Sequence, residues 1–308
     1  MTGTIVDTSL PNVRQEWATV KGLNVHYVTA GAGPAVILLH GQEENWATWQ
    51  HVIPVLAGSH RVYALDLLGA AESERLGSAI TPPSFYSDFL AAFLDELGLS
   101  QVTLVGNSHG GLIALRVALA RQDRVVALCL VDSAALGRET HPLLVMLALP
   151  MVGEAISLWC TTPWGATQWT WILASITFSQ PQRIPLSWYA NASRLARLQG
   201  HVMGGVVAPV RGQLGLTGQR EVLLGGLFDL EIPTLVIWGA DDQVVPSYHG
   251  IAAARQLRRG KLVVIPDCGH LPHVEQPESF NAALAEFMET VSKPAGQDWH
   301  LSHAGQST

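Results

Sequence analysis

Short apolar runs rich in valine, isoleucine and leucine recur along the chain at Ala35–Leu39, Arg61–Leu65, Val102–Val105, Val125–Val131, Thr234–Trp238 and Leu262–Ile265. Stretches of helical period separate them, an alternation that predicts a mainly parallel sheet flanked by helices. The later runs are continuously apolar rather than alternating, as strands buried on both faces require. Ahead of them, Trp17–Val20 and Asn24–Thr29 read as a hairpin turning at Lys21 and Gly22, which brings the expected sheet to eight strands.

Phe85, Phe89, Phe93 and Leu97 recur every four residues and mark one face of an amphipathic helix that Gly98 ends. Gly110–Gln122 reads as a second helix directly after a strand. Pro277 stands where a first-turn proline opens a last helix carrying Phe280, Leu284, Phe287 and Val291. Between residues 133 and 229 the alternation breaks. Pro, Gly and Trp are frequent there, and no strand pattern stands out. The chain therefore reads as one α/β core domain over 1–132 and 230–292, interrupted by a mostly helical cap over 133–229 and followed by a loose tail over 293–308.

Composition narrows the function classes. The 308 residues are 48% hydrophobic and only 14% charged, with a net charge of -7, so a sizeable core is expected and a phosphate backbone has no basic footprint to bind. Nucleic acid is excluded as a partner. Cys129, Cys160 and Cys268 have neither metal-ligand nor disulfide spacing and read as buried, reduced thiols. Met1–Pro11 lacks the basic-then-apolar pattern of a secretory signal, which makes a cytoplasmic location the default.

The strongest chemical signal is Gly106-Asn107-Ser108-His109-Gly110-Gly111, which places G-x-S-x-G at a strand-to-helix junction. A serine there sits on a strained turn that pushes its hydroxyl out of the sheet, and side chains two residues to either side would collide.

On this motif and its setting the chain resembles the α/β-hydrolase family, serine-nucleophile branch, from about Trp17 to Val291, with the cap outside the likeness. The resemblance implies a triad in the order serine, acid, histidine. Ser108 is the implied nucleophile. In Trp238-Gly239-Ala240-Asp241-Asp242 the acid stands three residues after the glycine, which selects Asp242 over Asp241; Asp132, after the preceding strand, occupies a place that some members use for the acid. Asp267-Cys268-Gly269-His270-Leu271-Pro272-His273-Val274-Glu275-Gln276-Pro277 is similar to the family's terminal G-H segment with its following E-x-P, and makes His270 the base, leaving His273 as a rim or packing residue. His40-Gly41-Gln42 matches the His-Gly pair that ends an early strand, so the backbone amides of Gln42 and His109 are the implied oxyanion donors. Asp66-Leu67-Leu68-Gly69-Ala70-Ala71-Glu72-Ser73 departs from the family's D-x-x-G-x-G-x-S loop in carrying Ala71 for the second glycine, which puts that loop's conformation in question.

The implied reaction needs no metal or organic cofactor. Five of the ten tryptophans, Trp159, Trp164, Trp169, Trp171 and Trp188, fall in the insertion near an apolar segment, Leu143–Val152. They suit either a lid over an apolar acyl or aryl group or simple packing of the cap on the core. That segment is too short, and too interrupted by Pro150 and Glu154, to span a bilayer; peripheral contact with a membrane stays open. The nucleophile turn also resembles that of carbon-carbon bond hydrolases acting on ring-fission diketones, but Gln42-Glu43-Glu44-Asn45 lacks the glycine-rich continuation usual there. The expectation is therefore a carboxylesterase-like serine hydrolase of a small, largely apolar ester, with carbon-carbon bond hydrolysis and a small-molecule receptor on the same fold as alternatives. Epoxide hydrolases and haloalkane dehalogenases, which place an aspartate where Ser108 stands, are disfavoured.

Overall fold

The computed structural model describes residues 12–77, 79–200 and 206–292; the tail expected over 293–308 lies outside them. Its strands are β1 (Arg14–Val20), β2 (Leu23–Ala30), β3 (Ala35–Leu39), β4 (Arg61–Leu65), β5 (Val102–Asn107), β6 (Val125–Val131), the two-residue β7 (Leu214–Gly215) and β8 (Gly218–Gln219), β9 (Thr234–Gly239) and β10 (Gly260–Ile265). All but β7 and β8 form one sheet in the order β1-β2-β4-β3-β5-β6-β9-β10. From β4 to β10 neighbouring strands pair in parallel, while β2 runs antiparallel to both β1 and β4. The hairpin register pairs Val20 with Leu23, and the intervening Lys21 and Gly22 both have positive φ, 51° and 79°. That is the turn whose twist suits a two-residue hairpin.

The apolar runs are continuous because helices cover both faces of the sheet. On one side Ile37, Leu39, Leu104, Leu128 and Val236 pack against α2 (Pro83–Glu96), α3 (His109–Ala120) and α9 (Tyr248–Gln256). On the other, Val36, Leu38, Val105, Ala127 and Leu235 meet α1 (Ile53–Ala57) and α11 (Pro277–Val291) through Ile53, Leu56, Phe280, Leu284 and Phe287. β10 departs from the expectation of two buried faces. It is the edge strand, paired only with β9, and Val264 is 40% exposed. The buried stripe of α2 contains Phe89 and Phe93 as expected, together with Tyr86, Leu90 and Leu94. Leu97 caps the helix rather than packing within it. Leu99 N–H to Leu94 C=O and Gly98 N–H to Asp95 C=O, with Gly98 at φ 64°, close it in a Schellman motif.

Between β6 and β9 lie α4 (Pro142–Ala148), α5 (Val152–Cys160), α6 (Pro163–Thr177), α7 (Leu186–Gly200) and α8 (Val207–Gln213). Prolines at first-turn positions open α4 and α6, and Thr162 caps α6 by accepting the Gly165 N–H at 3.0 Å. These helices share a small core of Leu147, Cys160, Ala166, Trp169, Ala196 and Val210. Among the described residues no single helix is long and apolar enough to cross a membrane; α4 and α5, apolar together, meet at 97°. The small antiparallel pair β7–β8 has no signature in the sequence pattern.

The chain order places β3 between β4 and β5. From β3 the chain builds outward to β4, then crosses back and builds the other way through β5, β6, β9 and β10. From this reversal the chain after β3 leads to α1 on one face of the sheet and the chain after β5 to α3 on the other, so the carboxyl ends of these two strands mark the crevice where open α/β sheets bind ligands.

Candidate active site

Ser108 stands at that crevice, between β5 and α3, with φ 51° and ψ −114°. A non-glycine residue held there stores about 1–3 kcal/mol, and its surroundings explain how the turn is held. The Ser108 N–H donates to the Val131 carbonyl at 3.0 Å, and its own carbonyl accepts from Leu112 and Ala134, each at 3.1 Å. A Cβ on Gly106 would lie 2.3 Å from the Gly110 carbonyl oxygen, and one on Gly110 would lie 2.3 Å from the Leu39 oxygen. Glycine at both positions is a steric requirement of the turn.

Asp242 and His270 are brought together by the loops after β9 and β10. One Asp242 oxygen accepts the N–H groups of Val244 and Val245 at 2.8 and 3.0 Å, and the other pairs with His270 Nδ1 at 2.8 Å. The bond to a carboxylate places the imidazole proton on Nδ1 and leaves the Nε2 lone pair available. His270 is anchored through its backbone: its N–H donates to Thr177 at 2.7 Å, and its carbonyl accepts from Asn107 Nδ2 at 3.1 Å, directly beside Ser108. Asp241 is exposed and accepts the Ser179 hydroxyl at 2.6 Å, away from the imidazole.

Asp132 comes closer to His270 than Asp241 does. It is fully buried, one oxygen accepts the Gly239 N–H at 2.9 Å and the other has no hydrogen-bond partner. Burial, and next the neighbouring Asp242, push the Asp132 carboxyl well above the usual carboxylate range. Asp132, Asp242 and His270 are, among the described residues, the one trio of metal-ligand types whose donor atoms converge; the Nδ1–carboxylate bond and the two amides on Asp242 already occupy most of those atoms.

Glu275, present in the sequence only as part of the E-x-P pattern, organises the histidine loop. Buried, it accepts the N–H groups of Gly269, Gln180 and Ser179 at 2.7, 2.6 and 3.3 Å, tying the residue before His270 to the segment after α6. His273 is a packing residue: it stacks on Trp49 with ring centroids 4.2 Å apart, bonds Thr48 Oγ1 at 2.9 Å, and burial lowers it to about 3.

The loop after β3 approaches from the other side. A Cβ on Gly41 would lie 2.7 Å from Asn107 Oδ1 and 3.3 Å from Ser108 Cβ, so glycine permits the approach. His40 accepts the Leu67 N–H on Nε2 at 2.9 Å, which requires its proton to be on Nδ1, where it donates to the Gly41 carbonyl at 2.7 Å. Desolvation keeps this ring neutral. Gln42, Ser108 and His109 together line a cavity of about 410 Å³. His109 Nδ1 bonds Gln213 of α8 at 2.7 Å, and burial lowers its pKa to about 4. In the Asp66 loop, Ala71 adopts φ 42° beside Gly69 at φ 87°. The loop thus keeps a left-handed residue at the position where the family's glycine is missing, held by Asp66, which accepts from Trp46 N–H at 2.9 Å and pairs with His26 at 2.8 Å.

Three successive side chains of the β3 loop reach the inserted helices. Trp169 Nε1 donates to Glu43 at 2.8 Å, Trp188 Nε1 to Glu44 at 3.1 Å, and Asn191 Nδ2 to Asn45 at 2.9 Å. The five tryptophans accordingly divide. Trp169 and Trp188 are buried and bind the core loop; Trp159 is half-buried against the core of the inserted helices; Trp164 and Trp171 are 67% and 58% exposed.

The alpha/beta hydrolase fold family matches residues 34–277. The chain belongs to that family. This hydrolase is 29% identical over 291 residues to the 2-hydroxymuconate semialdehyde hydrolase of Pseudomonas sp. (strain CF600), covering 89% of this chain and 93% of the relative. It is 29% identical over 280 residues to the 2-hydroxy-6-oxo-6-(2'-aminophenyl)hexa-2,4-dienoic acid hydrolase of Metapseudomonas resinovorans, covering 89% and 90%. Among solved structures, a thermophilic esterase from Thermogutta terrifontis superposes with a TM-score of 0.74 at 25% identity, covering 91% of this chain and all of that one. The hydrolase thus has both carbon-carbon bond hydrolases and esterases among its relatives.

Proposed function

We propose that this hydrolase cleaves an ester or related acyl bond of a small, largely apolar substrate through an acyl-enzyme on Ser108. His270 Nε2 takes the Ser108 proton as Oγ attacks the carbonyl carbon. The backbone amides of Gln42 and His109 hold the oxyanion, and the Asp242 carboxylate stabilises the imidazolium. His270 then gives its proton to the departing alcohol, and water, activated by the same nitrogen, releases the acid. The observation carrying this reading is the Asp242–His270 bond, which leaves Nε2 basic on a histidine whose carbonyl is tied to Asn107, next to the nucleophile. No step calls for a metal or organic cofactor. The helical segment within 133–229 acts as the cap, and its apolar inner side supports an apolar acyl or aryl group.

The test is direct. A fluorophosphonate probe should label the wild type and not Ser108→Ala, and p-nitrophenyl esters should be turned over steadily by the first alone. Labelling without turnover would instead support a receptor on the same fold. Carbon-carbon bond hydrolysis of ring-fission diketones is the second reading, favoured by the names of the relatives; steady cleavage of a diketone in preference to every ester would establish it. Against it, among the described residues no Lys or Arg lines the cavity that reaches Ser108 or the smaller one adjoining it, whereas the dienoic acid named for one relative carries a carboxylate.

Two coarser placements belong to the same reading. Free, buried cysteines suit a reducing, cytoplasmic setting. From Pro142 to Gln182 the one charged residue is Glu154, paired with Arg211, while Met151, Leu158, Trp164 and Trp171 are exposed; this uncharged face supports peripheral contact with a lipid surface.

A further inference from the structure

Glu43 follows the proposed oxyanion donor Gln42 directly, in a left-handed conformation at φ 63°. With His40, Gln42, Tyr86 and His109 it lines a cavity of about 250 Å³ that shares Gln42 and His109 with the larger one reaching Ser108. One of its oxygens is held by the Trp169 indole N–H. Glu44, next to it, is held by Trp188 and by Thr48, and its charge acts on His270. The loop after β3 therefore brings two acidic side chains side by side, one of them lining the smaller cavity, and among the described residues no Lys or Arg lines either cavity. An indole donor orients a carboxylate without neutralising it, so the field at the acyl pocket has one sign.

We propose that Glu43 is a specificity-determining residue that makes this site accept uncharged acyl esters and reject those whose acyl chain carries a carboxylate. The proposal rests on the acyl-transfer reading of Ser108. Two like charges about 7 Å apart at an effective dielectric of about 20 repel enough to cost roughly 50-fold in kcat/KM. The rejection follows the charge on Glu43. Burial, reinforced by Glu44 and opposed by the Trp169 bond, lifts its pKa to about 7. The groups facing it are Glu44 on its own loop, Cys160 on α5, Tyr86 on α2, and His40 and His109, both kept neutral by burial. None supplies a compensating positive charge. The anion barrier is thus present above about 7 and is lost as the pH falls through it.

The experiment compares p-nitrophenyl hexanoate with the p-nitrophenyl monoester of adipic acid, which has the same carbon count and stays anionic throughout, for the full chain at about pH 6 and about pH 8.5. The wild type should prefer the neutral ester by roughly 50-fold at the higher pH, and several-fold less at the lower. Any effect of pH on the acyl-transfer step that the two esters share cancels in the ratio. Glu43→Gln, which keeps an acceptor for Trp169, should lower the ratio by about tenfold or more and make it independent of pH. An unchanged ratio in Glu43→Gln, or a wild-type ratio near one, overturns the proposal while leaving the acyl mechanism standing. A wild type inert to both esters refutes the acyl mechanism itself, and the proposal with it. Were Glu43→Gln not to fold, the pH dependence of the wild-type ratio alone decides, since a flat ratio refutes the charge on Glu43 as its cause.

Discussion

Asp132 and Asp242 arrive at one imidazole from the ends of neighbouring strands: an oxygen of each lies within 4.8 Å of the other and of a His270 ring nitrogen. Two carboxylates this close in a buried site do not both ionise, because the second charge would meet the first with little solvent between them. Their hydrogen bonds decide which one does. Asp242 accepts two amides and the His270 N–H, whereas Asp132 accepts the Gly239 amide alone and keeps its second oxygen unpartnered. Asp242 is the anion, and Asp132 is held protonated by burial and by that anion.

Replacement of each acid by its amide should therefore have unequal effects. Asp242→Asn removes the charge that stabilises the imidazolium and disturbs the tautomer, and kcat on p-nitrophenyl esters should fall on the order of 10³- to 10⁴-fold. Asp132→Asn replaces one neutral group by another of the same shape, so its loss should stay within about tenfold, the worth of one neutral hydrogen bond. In Asp242→Asn the anion that kept Asp132 protonated is gone, and Asp132 can ionise beside His270. The double variant should consequently be slower than Asp242→Asn alone. Equal losses in the two single variants would contradict the assignment of the charge.

The same pair makes stability depend on pH. An unfolded aspartate titrates near about 3.9, whereas folded Asp132 titrates well above that. Between the two values the folded chain binds more protons than the unfolded one, and stability falls as pH rises. Asp132→Asn has no such proton to lose. Its Tm relative to the wild type should be little changed at about pH 4 and should rise steadily towards about pH 8. A difference in Tm that stays flat across that range would show that Asp132 is ionised in the folded protein.

What the sequence makes legible follows from what constrains it locally. Ser108 could be located because Gly106 and Gly110 have carbonyls where a Cβ would sit, and the central strands because helices cover both faces and leave few polar positions, such as Thr103 and Thr234. Asp241 and Asp242 are adjacent, and only the path of the chain after β9 buries one and exposes the other. β10 reads as apolar although it is an edge, since a run of valines carries no mark of how many neighbours it has. Short helices such as α1 and α9 owe their place to the sheet beneath them more than to their own periodicity. The contacts of Glu43 with Trp169 and of Glu44 with Trp188 join residues 126 and 144 positions apart. Nothing local announces them; the trace in the sequence is an acidic pair in place of the glycine-rich continuation usual in the carbon-carbon bond hydrolases.

Ala71 offers a test of stored strain. At φ 42° its Cβ meets the conformation that L-residues avoid at a cost of about 1–2 kcal/mol, while glycine gives back some of that gain through the freedom of the unfolded chain. Ala71→Gly should stabilise the protein by about 0.5–1 kcal/mol in a denaturant titration, with the m-value unchanged. A destabilised variant would mean that the Ala71 methyl contributes more through contacts than its backbone costs.

Trp169 links the inserted helices to Glu43. Its indole N–H stabilises the ionised form of Glu43 and so holds that pKa lower than burial and Glu44 alone would set it. Trp169→Phe keeps most of the buried ring and removes the donor. Two consequences separate from one another. The lost bond should cost about 1 kcal/mol of stability, which any loosening of the inserted helices would also produce. In addition, the pH at which the preference for the neutral ester over the adipate monoester sets in should move above about 7, because Glu43 then ionises later. Packing loss alone would lower turnover of both esters together and leave that midpoint where it is. A midpoint that stays put in Trp169→Phe would uncouple the indole from Glu43, and one that moves downward would reverse the sign of the interaction.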